Sequence, residues 1–245
     1  MPLVLKNIEK RVKAAVAHYW TTLGRQGKQQ KVQKGRDTGT RSRVTGGKQM
    51  NGFASLVADI IAENGLARAH IHVDKTLELP GYFRATKKWD LVVVRDHKLI
   101  AAIELKSQAG PSFGNNFNNR AEEAIGTAKD LWTAYEKGAF GKNHAPWLGW
   151  GMLLEDCEGS RSPVDVEEPH FKVFPEFRNA SYAMRYELLL RRLVLERYYT
   201  RAALLLSTQA AGKKGLFREP AKDLCIHDLF VSLAGHIGTI GASQS

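Results

Sequence analysis

Cysteine is scarce. Cys157 and Cys225 are the only two in 245 residues, too few for a disulfide framework and without metal-binding spacing. Long apolar runs are missing too, since none approaches the ~18–20 residues needed to span a bilayer. The opening Met1-Pro2-Leu3-Val4-Leu5-Lys6 has too few apolar residues before charge begins to read as a signal peptide. The expectation is a soluble, cytoplasmic protein. Acidic residues are short as well: 25 Asp and Glu stand against 36 Lys and Arg, a formal net charge of +11. What is present is ordinary for a globular chain, at 43% hydrophobic and 25% charged. A chain of this length buries roughly 70–75% of the surface its unfolded form exposes, so one large domain spanning residues 1–245 is expected. The positive excess points to a polyanionic partner, nucleic acid first and an anionic membrane surface second.

The charge is concentrated. Residues 24–50 hold eight basic side chains (Arg25, Lys28, Lys31, Lys34, Arg36, Arg41, Arg43, Lys48) and a single acid, Asp37, so seven of the eleven net charges lie there. This Gly- and Gln-rich stretch has too little apolar surface to order itself. It reads either as a solvated flexible loop or as a basic arm that orders on a phosphate backbone. It has no apolar face with which to bind a membrane surface.

Around the arm the periodicities give a helix over 5–23 and an amphipathic helix over Asn51–Asn64 closed by Gly65. Ala69–Val73 alternates like a short strand and puts His70 and His72 on one face, a metal pair without a third ligand. Trp89–Arg95 and Leu99–Ser107 are strands, apolar at nearly every position, as central strands covered on both faces are. Gln108–Phe117 reads as a loop and Arg120–Lys137 as a helix, capped by Asn119 with Glu122 three residues on. Trp147–Leu154 is a further buried strand. Ser181–Leu206 reads as one strongly apolar helix, buried or at a dimer interface. A last helix covers about Ala221–Leu233, so 181–245 is expected to be a helical part. Together these give an α/β fold, a mixed central β-sheet flanked by helices.

Buried strands should not carry charge unless it is paired or binds something. Here Asp90, Glu104 and Lys106 interrupt the apolar runs. Glu104 and Lys106 are two apart, hence on one face. If the turn is the three residues Asp96-His97-Lys98, Arg95 pairs with Leu99 and Asp90 falls opposite Glu104, ~5 Å away. Two carboxylates at that separation repel unless a divalent cation lies between them, and an oxygen-ligated Mg²⁺ is the natural occupant. A two- or four-residue turn would instead place Asp90 opposite Ile103. The plainer alternative is a buried Glu104–Lys106 ion pair with Asp90 capping a turn.

These residues resemble the PD-(D/E)xK nuclease superfamily, with Trp89 where the superfamily has proline. The match narrows to the XhoI-type type II restriction endonucleases. It rests on WDLVV and ELKSQAGPSFGNNFNNRAEEAIGTAKDLWTAY within Trp89–Tyr135, on VTGGKQMNGF at Val44–Phe53 and on LPGYFRATKKWD at Leu79–Asp90. It covers most of the chain, and GNNFNNR at Gly114–Arg120 is a highly specific run. The resemblance implies a restriction-endonuclease-like core and Mg²⁺-dependent cleavage of both strands at the palindrome CTCGAG, leaving 5′-phosphates. It makes Asp90 and Glu104 the metal carboxylates and Lys106 the catalytic lysine. A fourth acid comes from a preceding helix in many such nucleases, and Glu63 is the candidate here.

Guanine is best read by Arg or Lys and adenine by Asn or Gln. Asn115, Asn116, Asn118 and Arg120 follow the active strand and carry both chemistries. Arg36, Arg41, Arg43 and Lys48 of the arm, with Arg84, Lys87 and Lys88 ahead of Asp90, are candidates for phosphate contacts. A palindrome implies a homodimer on double-stranded DNA, with no nucleotide cofactor. A repair or junction nuclease of the same superfamily and a non-catalytic basic DNA-binding protein are the other readings.

Overall fold

A computed structural model describes residues 3–32, 48–141 and 144–242. Its elements, in chain order, are α1 (Ile8–Val32), α2 (Asn51–Glu63), β1 (Ile71–His72), β2 (Glu78–Pro80), β3 (Thr86–Lys88), β4 (Leu91–Arg95), β5 (Lys98–Gln108), α3 (Phe113–Glu136), β6 (Trp147–Glu155), α4 (Glu158–Arg161), α5 (Tyr182–Leu195), β7 (Arg201–Ser207), α6 (Gln209–Gly212) and α7 (Ile226–Ala242). No helix among the described residues is long and apolar enough to cross a membrane.

Five strands form one sheet in the order β1-β4-β5-β6-β7. The pairs on the β4 side are antiparallel, and those joining β5 to β6 and β6 to β7 are parallel. β2 and β3 make a separate hairpin. Alternate positions of the central strands feed two apolar cores. Ala101, Ile103 and Leu105 pack with Val16, Trp20, Ile60, Ile61 and Phe230 of α1, α2 and α7. Ala102, Leu148 and Trp150 pack with Ala124, Leu131, Leu190 and Leu193 of α3 and α5. The expected mixed sheet with helices on both faces is what forms.

Several boundaries differ from the sequence reading. α1 continues through Val32, so Gly24–Val32 is helical, while Arg36, Arg41 and Arg43 lie outside the described residues. His70 ends a 3₁₀ turn, Arg68–His70, so it is not part of a strand face with His72. α3 begins at Phe113, not Arg120, which makes GNNFNNR helical and leaves Asn119 inside the helix with no capping role. The cause is packing: Phe113 stacks on Tyr182 at 5.9 Å and Phe117 meets Tyr186 edge-on at 5.1 Å. Two aromatics at i and i+4 outweigh the poor helix propensity of four asparagines.

The long helix over 181–206 is divided. α5 stops at Leu195, Arg197 turns the chain at φ 59°, and Arg201–Ser207 becomes the last parallel strand. Ala202–Leu206 is buried on both faces of the sheet, where a helix stripe and a two-sided strand look alike in sequence. The apolar side of α5 rests on this chain's own core through Tyr186, Leu190 and Leu193, and Met184 and Leu195 are its exposed apolar residues.

Candidate active site

The β4–β5 hairpin sets the site. Its turn has two residues, Asp96 and His97, both at positive φ (52° and 58°), as a type I′ hairpin requires. Arg95 pairs with Lys98 and Val94 with Leu99. Unbroken, that register would set Asp90 opposite Ile103. The ladder then skips Ile100: Val93 pairs with Ala101, Val92 with Ala102 and Leu91 with Ile103. This one-residue β-bulge returns the register to the one that places Asp90 level with Glu104, so the expected opposition stands although the expected three-residue turn does not. His236 of α7 donates its ring Nε2–H to the bulge carbonyl, Ile100 O, at 3.1 Å.

Four residues converge at the end of this ladder. Asp90 Oδ2 accepts from the Leu105 amide at 2.8 Å and lies 3.4 Å from Lys106 Nζ. Glu104 is fully buried, at 0% exposure. Its Oε1 takes Lys87 Nζ at 2.5 Å, and its Oε2 is 2.5 Å from Lys106 Nζ. Both oxygens of this buried carboxyl therefore lie against lysine ammonium groups. Lys106 also meets Glu123 of α3 at 3.1 Å, and Glu123 holds Arg120 at 2.6 Å. The lysines sit over indoles, Lys87 above Trp89 at 5.8 Å and Lys106 above Trp150 at 6.0 Å. Trp89 is thus a seat for Lys87.

The electrostatics follow from burial and neighbours. Burial, with the Asp90 charge adding to it, pushes Glu104 up to about 7 against the pull of Lys106 and Lys87. Burial also works against the Asp90 carboxylate, but Lys106, Glu104, the Leu105 amide and Lys87 together leave it below its ordinary value. Lys106 pays a burial penalty that Glu104, Asp90 and Glu123 more than reverse, so it is held protonated. A cleft of about 290 Å³ opens at Asp90, with Asn51, Asp74 and Lys88 among its lining residues.

Other expected residues are placed differently. Glu63 is at the far end of α2, paired with Arg11 at 2.9 Å and not with the cluster. Arg84 is bound to Asp130 at 2.7 Å in the tip of the β2–β3 hairpin, and Lys87 is committed to Glu104, while Lys88 and Lys48 are exposed. Asn115 and Asn118 are exposed on α3, whereas Asn116 and Arg120, four apart, are half-buried on one side of it. His72 Nδ1 shares a hydrogen bond with Thr76 Oγ1 at 2.8 Å, and among the described residues no three His, Cys, Asp or Glu stand together as metal ligands. Glu123 is the participant that sequence spacing missed, because it reaches Lys106 from a different element.

The chain was compared with known proteins. A family model described as restriction endonuclease XhoI matches residues 28–219. The type II restriction enzyme BstVI of Geobacillus stearothermophilus is 52% identical over 217 residues, covering 86% of this chain and 97% of that protein. The type II restriction enzyme XhoI of Xanthomonas vasicola is 46% identical over 208 residues, covering 84% and 83%. The type II restriction enzyme AbrI of Azospirillum brasilense is 50% identical over 173 residues, covering 70% and 78%. No solved structure matches the chain. With that extent of agreement, and with two carboxylates and a lysine gathered at the end of one hairpin, the chain belongs to the XhoI restriction endonuclease family.

Proposed function

We propose that this type II restriction endonuclease cuts both strands of duplex DNA at the palindrome CTCGAG, uses Mg²⁺, leaves 5′-phosphates, and works as a homodimer without a nucleotide cofactor in the bacterial cytoplasm. The observation that carries the reading is the meeting of Asp90, just ahead of β4, with Glu104 and Lys106 of β5. The donor set fits a hard divalent cation: both carboxylates supply oxygen ligands, and both lie against Lys106, at 3.4 Å for Asp90 Oδ2 and 2.5 Å for Glu104 Oε2. Asp90 and Glu104 would hold the ion. A bound Mg²⁺ supplies charge neutralisation at the phosphate and a more acidic water.

The chain's own groups do the rest. Three carboxylates keep Lys106 charged, so it serves as a fixed cation beside the attacking water and the developing phosphorane charge, not as a base. The water oxygen bonds to phosphorus as the P–O3′ bond breaks; the water's proton passes to solvent and the leaving 3′-oxygen takes one from solvent, which gives a 3′-hydroxyl and leaves the phosphate on the 5′ side. Lys48 and Lys88, with Arg36, Arg41 and Arg43, serve the phosphate backbone. Asn115, Asn116, Asn118 and Arg120 face the bases or the groove walls. Two subunits related by a twofold axis each read one half-site.

Incubation with a plasmid of known sequence, with and without Mg²⁺, tests this. The expected result is discrete fragments with 5′-phosphate ends mapped to CTCGAG only when the ion is present. Fragments mapping elsewhere, or cleavage without a divalent ion, would overturn the corresponding part.

A further inference from the structure

Beyond Lys106, β5 continues to Ser107 and Gln108, and a second cleft opens beside it. Gln49, Ser107, Asn116 and Arg120 are among the residues lining it. Gln49 lies in the 3₁₀ turn Lys48–Met50 and is 7% exposed. Its neighbours fix it in place, since Met50 and Phe53 are rooted in the core shared with α1 and β5. Yet Gln49 Oε1 has no hydrogen-bond partner among the described residues. Arg120 Nε, in the lining of the same cleft, is likewise buried without a partner among the described residues, while its Nη1 is held by Glu123. An acceptor and a donor buried and unpaired among the described residues, and lining one cleft, are costly unless a ligand completes them. The ligand must offer a donor to Gln49 and an acceptor to Arg120.

We propose that Gln49 is a base-reading residue. Its carboxamide takes the major-groove edge of an adenine, Oε1 accepting from N6–H and Nε2 donating to N7, while Arg120 donates to an adjacent guanine. A carboxamide matches adenine and a guanidinium matches guanine in donor and acceptor pattern, and each half of CTCGAG contains an adenine flanked by guanine. The choice of adenine rests on the CTCGAG reading; the role of Gln49 rests on the cleft. The arrangement also ties reading to cutting, because Arg120 is joined through Glu123 to Lys106.

The test replaces the adenine of the site by 7-deazaadenine, which lacks the N7 acceptor, and measures kcat/KM for wild type, Gln49→Ala and the near-isosteric Gln49→Met. Wild type is expected to lose about 10- to 100-fold on the analogue, the discrimination a bidentate contact gives. Each variant is expected to lose a similar factor on ordinary DNA and nothing further on the analogue. Wild type indifferent to the analogue would overturn the proposal without any variant. So would variants that still lose the full factor on the analogue, since a merely structural glutamine leaves the N7 contact in place. Mapping of the cut fragments separates this from the choice of site: if they map elsewhere, CTCGAG fails, and the same cycle is run at the adenine of the mapped sequence.

Discussion

Glu104 is buried between two lysines, and removing any of its neighbours leaves a charge in a place that does not tolerate one. Lys106 is balanced by Asp90, Glu104 and Glu123, so its loss strips the site of its fixed cation while the strand stays packed on both faces. Lys106→Ala is therefore expected to keep DNA binding, followed by mobility shift without Mg²⁺, and to lose cleavage by about 10³-fold. Full activity would remove Lys106 from the mechanism. Away from the site, Asp130 of α3 accepts from the Tyr82 and Phe83 amides at 2.7 and 2.8 Å and from Arg84 Nε at 2.7 Å. Burial raises its pKa, but these three donors outweigh burial and hold it below the usual carboxylate value of 3.8. A lowered folded-state pKa gives stability that is complete above the unfolded value and is lost as pH falls through the folded one. Asp130→Ala should thus cost about 1–3 kcal/mol at neutral pH, and denaturant titrations should show the gap from wild type closing only below about pH 4. Asp90, Glu104 and Lys106 were legible in the sequence because charge in an apolar strand is conspicuous. Glu123 and Gln49 were not, because each reaches its site from an element that only tertiary packing brings there.

At the level of elements, the same division holds. The strands β4, β5 and β6 announce themselves through continuous β-branched and apolar runs, and α2 through its apolar stripe. The start of α3 does not: an asparagine-rich segment after Gly110-Pro111 carries every local mark of a loop, and it is helical because Phe113 and Phe117 are anchored on Tyr182 and Tyr186 of α5. Phe113→Ala should therefore do more than open a cavity. It should cost about 3–5 kcal/mol in denaturant unfolding and fray the turn that carries Asn115 and Asn116, with faster amide exchange over 113–118 and weaker cleavage. Fraying confined to the far end of α3 would contradict this account. β7 was hidden for a different reason. Its Ala-Ala-Leu-Leu-Leu run follows a helix of similar composition, and a short turn over 196–200, with Arg197 at positive φ, separates them.

For the whole molecule, charge and shape divide the work of binding. Much of the +11 lies in residues 24–50 of the sequence, which include neither Asp90 nor Glu104, so capture of DNA and its hydrolysis should respond to different variables. Replacing Arg36, Arg41 and Arg43 together by Gln should lower the slope of log affinity against log salt by up to about 3. The fragment pattern should stay the same. A changed pattern would mean that these residues read bases. Sedimentation of the intact protein should give twice 27.3 kDa if each subunit reads half a palindrome.

The bulge at Ile100 has a consequence for how the chain tolerates changes in length. The hairpin holds one residue of slack, and the slack sits on the turn side of the site. Deleting Ile100 would straighten the ladder and still leave Asp90 level with Glu104, at the cost of the His236 contact. The deletion variant is thus expected to be less stable yet still to cut at the same sequence. Inserting a residue between Ala102 and Ile103 has no such reserve to draw on and should abolish cleavage. Related chains of unequal hairpin length can therefore share one catalytic register, with the difference absorbed at the end where no chemistry occurs.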